Sequence, residues 1–308
     1  MMLVITMVIV SFLTFLAFEL ISGDPAQAML GTEATPERLA ALREELGLNR
    51  PFLVRYASWL TGFVSGDLGM SLRYRQPVWD LIAPKLEITL CLCLLSFVLI
   101  TVVSIPLAIF SYRWVGGPLD AVRTAFNQLC MAVPPFFTGI LMSFLFGILL
   151  RLFVPGDFPD LHTGFGAALV HLLFAAICLG IPRSAMTVRM MRSTVIGEMQ
   201  KAYVRTAISR GNDRHAVLTR HVLKNSLTSA VTFLGQTMAE LIGGSVVVEQ
   251  VFGIPGLGRL LVYSISTRDY PVVQTVVVIL AFWVVVAGTL ADLINQRIDP
   301  RLRLGGQA

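Results

Sequence analysis

One carboxylate stands in the middle of an apolar stretch: Glu240, in TMAELIGGSV, with Gln236 one helical turn earlier on the same face. A charge at that depth in a bilayer costs about 3 kcal/mol or more, so it is retained where it binds, relays protons or meets water. The competing structural reading has Glu240 facing a water-filled cavity or bonded to a neighbouring helix. Glu19, Glu87, Arg151, Arg183 and Glu249 lie nearer the ends of apolar runs, where long side chains reach the interface. Other chemistry finds no support. The chain has three lysines, none after a glycine, so it holds no GxxxxGK[ST] loop to cradle nucleotide phosphates. Cys91, Cys93, Cys130 and Cys178 all sit in apolar runs without zinc spacing and read as small buried hydrophobes. The four histidines are scattered. No catalytic residue, bound cofactor or metal ligand is therefore expected here, and an ATPase driving this protein would be another chain.

The second feature is the stretch 198–226, EMQKAYVRTAISRGNDRHAVLTRHVLKNS. Lys201, Arg205, Arg210, Arg214, Arg220 and Lys224 stand against only Glu198 and Asp213. Met199, Tyr203 and Ala207 form one apolar stripe at helical spacing, and Val217, Leu218 and Val222 another. Between them, Gly211 turns the chain cheaply in the left-handed conformation, and Asn212 or Asp213 caps the next helix. The pattern predicts two short helices joined by a sharp turn at the membrane face. A basic loop that merely obeys membrane topology is the plainer alternative.

These residues must be positioned by membrane helices. Of 308 residues 55% are hydrophobic and 14% charged, against roughly 25% charged in soluble domains. Six spans are expected: 1–21, 86–110, 126–154 with a bend or interruption at Pro134-Pro135, 166–186, 229–248 and 272–294. The first is read as a retained helix rather than a signal peptide, because no Lys or Arg precedes Arg38 and the run is longer than a typical apolar core of about 7–15 residues. Residues 22–85 form a polar extracytoplasmic region. Thr35 caps a helix that has Pro36 at its first position and runs to Leu46, an amphipathic GLNRPFLVRYASWL comes next, and then a turn-rich SGDLGMSLRYRQPV. The core occupies 86–294 and the tail 295–308. Basic residues cluster in 111–124, in 188–227 and in the tail, while 155–164 carries acids alone, so both termini and the 188–227 loop are placed in the cytoplasm. The positive charge, +5 net, thus belongs to topology and implies no nucleic-acid partner. Gly243-Gly244 is read as a close-packing site, and Pro255-Gly256 as a break before a short surface helix.

Together these segments resemble one family over nearly the whole chain: the membrane-spanning permease subunits of ABC importers of the dipeptide, oligopeptide and nickel type. The resemblance is carried by YVRTAISRG at 203–211 with RHVLKNSL at 220–227, by GGSVVVEQVFGIPGLGRLL at 243–261, by RDYPVVQ at 268–274 and by DPRLRL at 299–304. GLNRPFLVRY and GDLGMSL look like the family's outer segment. The resemblance implies an all-α fold of six transmembrane helices, with an extracytoplasmic insert after the first and a cytoplasmic coupling-helix loop between the fourth and fifth.

It also implies a role for the basic stretch. In this superfamily a Glu-Ala-Ala pattern followed by Gly docks a short helix into a groove on the ATPase. The corresponding positions here are Arg205, Thr206, Ala207 and Gly211, with Tyr203 just before them, and only Ala207 and Gly211 match the general pattern. Small Ala207 would permit close approach, and Lys224 stands where a proline often closes the pattern. The implied partners are a second homologous permease in a heterodimer, two ABC ATPases using ATP and magnesium, an extracytoplasmic substrate-binding protein and the lipid of a bacterial inner membrane. Peptides are the implied cargo, delivered by alternating access, with nickel or glutathione as the alternatives. Glu240 and Gln236 are the candidates for the translocation path. An ion-coupled secondary transporter, the rival of another class, would need a relay of membrane acids or repeated halves, and the sequence shows one mid-membrane acid and no visible repeat.

Overall fold

Backbone placed in hydrocarbon must satisfy its hydrogen bonds within its own segment, so the long apolar runs of this chain form helices. The computed structural model describes residues 2–21, 25–30, 35–45, 47–112 and 115–298. Among them there is no strand, only an isolated bridge between Met70 and Pro77. In chain order the helices are α1 (Met2–Ile21), α2 (Pro25–Leu30), α3 (Pro36–Glu45), α4 (Phe52–Ser65), α5 (Val78–Tyr112), α6 (Pro118–Ala132) and α7 (Pro135–Met142), which continues as a π-helical segment, Ser143–Leu149. Then come α8 (Phe165–Met199), α9 (Ala202–Ser209), α10 (Arg214–Val217) with a π-helical continuation Leu218–Val222, α11 (Leu223–Phe252), α12 (Leu257–Ser266) and α13 (Tyr270–Ile298). Five of the described helices are long and apolar enough to cross a membrane, and six if the bent pair at Pro134 counts as one span. The all-α membrane architecture expected from the sequence is what the structure has. The DPRLRL run lies outside the described residues.

The chain divides into two compact units. The first comprises Met1–Ile88 and Pro255–Val285. Here Phe12 and Phe15 of α1 meet Phe52, Tyr56 and Trp59 of α4 with ring centroids 5.3–5.9 Å apart, the tilted and edge-on contacts that aromatic quadrupoles favour. Tyr56 and Ser11 share a hydrogen bond of 2.9 Å, and Arg55 pairs with Glu19. The amphipathic GLNRPFLVRYASWL thus packs on α1 through its aromatic face. Thr35 caps α3, its hydroxyl accepting from the Arg38 amide at 3.4 Å.

A second centre of this unit joins Val78, Leu81 and Ile82 at the start of α5 to Leu257 and Leu260 of α12 and Val272 and Val276 of α13. These contacts explain why α5 begins at Val78 rather than at Leu86, where the expected span starts. The carboxylate of Asp269, 1% exposed, accepts from the Ser71 hydroxyl and from the amides of Leu72 (3.0 Å) and Arg73 (3.4 Å). GDLGMSL and RDYPVVQ, far apart in sequence, are therefore tied by one buried acid.

The second unit comprises Thr89–Ile254 and Val286–Ala308. The expected third span is sharply broken: α6 and the segment that starts with α7 meet at 92°. Pro135 offers no amide to continue the ladder of α6, and a following proline drives Pro134 into an extended conformation, ψ 142°. Asn127 of α6 donates to the Ala185 carbonyl of α8 at 3.0 Å, and Arg192 of α8 reaches both oxygens of Asp120 at 2.6–2.7 Å. α8 runs past the expected end of its span, through Pro182, as far as Met199. Gly244 of α11 lies against α8, since a Cβ there would meet Leu179 at 3.2 Å, while Gly243 faces open space and packs on nothing. Glu249, expected near an interface, is fully buried, and the Thr89 hydroxyl donates to it at 2.7 Å. The interface reading rested on its place near the run end, but α11 extends to Phe252 and encloses it.

Candidate functional site

The basic stretch builds a bracket. Ala202–Ser209 forms helix α9 as predicted, and Gly211 closes it in the left-handed region at φ +84°, with nothing within 4 Å of where a Cβ would stand. The Gly211 amide donates to the Ile208 carbonyl at 2.9 Å, and the Asn212 side chain donates to the Ala207 carbonyl at 3.0 Å. Asp213 caps the next helix by accepting from the His215 amide at 2.9 Å. That next helix is not a separate short one. From Arg214 it passes through the π-helical Leu218–Val222 directly into α11, because no glycine or proline interrupts the ladder there. A π-segment at this joint is notable, since such insertions cluster at functional sites.

The two apolar stripes read from the sequence meet in one cluster. Val195 of α8, Val204 of α9, and Val217, Leu218 and Val222 are buried together, with Ile109, Tyr112, Met199, Tyr203 and Ala207 packed around them. Val204, absent from the predicted stripe, is the most enclosed residue of α9, 1% exposed. The Tyr203 hydroxyl donates to Glu198 at 2.9 Å and accepts from the Asn225 side chain at 3.2 Å. Burial, foremost, raises the Tyr203 phenol above its ordinary value, with Glu198 adding to the rise and the Asn225 donor opposing it. Lys201 pairs with the same Glu198, which raises its ammonium. Tyr203 and Ala207 thus face the chain's own core, while Arg205, Thr206, Ile208 and Ser209 face outward. A packed inner face and a free outer face are what a docking helix requires.

The second candidate lies along α11. Among its described side chains the exposed positions are Lys224, Asn225, Ser229, Thr232, Gln236, Glu240, Gly243, Val247 and Gln250. From Asn225 onward they advance by three and four residues, so they line one face of the helix over about 37 Å, enough to cross the roughly 30 Å hydrocarbon core. Apart from Gly243 and Val247, all are polar or charged. The exposed face of the unit-two part of α5 is the opposite: Leu94, Val98, Val102, Val103, Pro106, Leu107 and Phe110. One face suits lipid and the other does not. At the centre of the polar face Glu240 pairs with Arg183 of α8, the two side chains 52% and 31% exposed. Arg183 had read as an interfacial residue, and its partner is visible only in the fold. Gln236 lies exposed one turn away.

Residues 104–304 match the family described as binding-protein-dependent transport system inner membrane component, and residues 1–93 match the N-terminal model of such membrane components. The chain belongs to this family. It is a multi-pass inner-membrane permease component of a binding-protein-dependent transport system. Similar proteins include the oligopeptide transport system permease protein AppB of Bacillus subtilis, 34% identical over 95% of this permease and 94% of the relative. The dipeptide transport system permease protein DppB of Escherichia coli is 32% identical over 97% and 95%. The protein y4tP of Sinorhizobium fredii, named "Probable peptide ABC transporter permease protein", is 34% identical over 96% and 95%. In this permease both candidate elements fall within the matched stretch 104–304, and one continuous helical path, Arg214 to Phe252, connects them.

Proposed function

We propose that this chain is one of two membrane subunits of an ATP-driven importer of dipeptides or oligopeptides. An extracytoplasmic binding protein delivers the peptide, and two separate ABC subunits hydrolyse ATP with magnesium. The cargo is inferred from the names of the relatives, and the coupling role rests on one observation: α9 is seated on its own chain by Tyr203, Val204 and Ala207 while Arg205 and Thr206 remain outward.

The mechanics derive from that seating. α9 shares its cluster with the end of α8, the end of α5 and the start of the helix that becomes α11. An ATPase gripping the outer face would move these ends together, since a packed apolar cluster transmits displacement rather than absorbing it. α11 then carries the motion to the face that holds Gln236 and Glu240. That face lines the water-filled path, and its two exposures, outward and inward, alternate. The clustering of basic residues in the loops supports a cytoplasmic side for both termini and α9, with residues 22–85 outside.

The test is purification of the tagged chain from native membranes in mild detergent, with partners identified by mass spectrometry. A second six-span permease and one or two ATPases bearing phosphate-binding loops are the expected companions, and Val204→Asp should release the ATPases. Recovery of the chain alone under several detergents would overturn the reading.

A further inference from the structure

The Arg183–Glu240 pair is poorly explained as a structural strut. An ion pair open to solvent contributes only about 0–1 kcal/mol, yet this one sits in membrane-spanning helices where each charge alone costs several times that. Its acid is half exposed, on a face whose other polar groups include Ser229, Thr232 and Gln236. Guanidinium and carboxylate stand side by side, and both side chains are partly exposed. A zwitterionic peptide carries the complementary couple, a carboxylate that the planar guanidinium takes in bidentate fashion and an ammonium that the carboxylate accepts.

We propose that Arg183 and Glu240 form a transient binding site for the two charged ends of a peptide crossing the membrane, and so set a preference for zwitterionic cargo. The peptide opens the resident pair and replaces it with two ion pairs of its own. Both ends of the peptide are held at once, so losing either partner leaves one end unpaired, and the resident pair can re-form as the ligand leaves. An uncharged ligand gains nothing from opening the pair. The assignment rests on the peptide-import reading, and the experiment separates the two.

The assembled transporter in proteoliposomes, with its binding protein and ATP, is assayed for uptake of labelled dialanine and for ATP hydrolysis. Arg183→Gln and Glu240→Gln should each lower dipeptides carried per ATP hydrolysed by about tenfold or more, the scale of one hydrogen bond to a charged group. The swapped double variant R183E/E240R should remain low, although the pair is rebuilt, because its polarity is reversed against the delivered peptide. Recovery in the swap, or wild-type transport in either single variant, overturns the site. Should the charge variants fail to assemble, Gln236→Cys in the otherwise native complex provides the second measurement. Dialanine should shield that thiol from a charged thiol reagent, and cyclic dialanine, which has no charged ends, should not; equal shielding overturns the site. A wild-type complex that hydrolyses ATP without accumulating any dipeptide refutes peptide import itself.

Discussion

At residue 211 the chain turns with φ +84°, and nothing lies within 4 Å of the position a Cβ would take. The cost of a side chain there is thus conformational rather than steric. Gly211→Val should weaken the turn by about 1–2 kcal/mol and lower coupled uptake while leaving membrane insertion intact, whereas Gly211→Asn, a residue that tolerates the left-handed region, should retain most transport. Uptake by the two variants at equal expression checks this. The residue scale also governs Glu249, whose burial makes each donor count. Thr89→Val removes the hydroxyl that donates to it at 2.7 Å and should lower stability by about 1–3 kcal/mol, read as a fall in the thermal midpoint in detergent.

α9 is too short to be stable by itself, since helices below about 12 residues are marginal in water. It persists through its packed face and the bonds that Gly211 and Asn212 make to its C-terminal carbonyls, and the next helix depends on its cap Asp213. Asp213→Ala should cost about 1 kcal/mol and speed amide exchange in the turn around His215, without unfolding α11. Val204→Asp, which buries a charge in the cluster, should be far worse: α9 is expected to lose protection along its length and the complex its ATPases. The broken third span obeys the same local logic, because two adjacent prolines break the helix where the 92° bend falls.

For the molecule as a whole, the contrast between the exposed faces of α5 and α11 is the most testable consequence. Single cysteines at Ser229, Thr232, Gln236 and Gly243 should react with a membrane-impermeant charged thiol reagent from one side or the other as ATP is bound or hydrolysed. Cysteines at Val98, Val102 and Leu107 should not react in either state. Equal reactivity of the two sets would show that the polar face lines no aqueous path. Side dependence would tie the face to the nucleotide state.

Much of this was legible in the sequence because its causes are local. Helices need apolar runs long enough for the bilayer, turns need Gly211 and a capping Asp213, and breaks need Pro134-Pro135, all readable within a few residues. The tertiary structure alone decided what depends on residues far apart in the chain. It joined Arg183 to Glu240, enclosed Glu249 beneath Thr89, tied Asp269 to the Ser71 loop and turned Ala207 toward its own core. It also extended α8 and α11 beyond the apolar runs that announce them, since packing in the cluster around Val204 and Val217 continues a helix after hydrophobicity has stopped marking it. Periodicity marks a face of a helix, but which neighbour meets that face is a matter of packing between distant segments, and no local pattern records it.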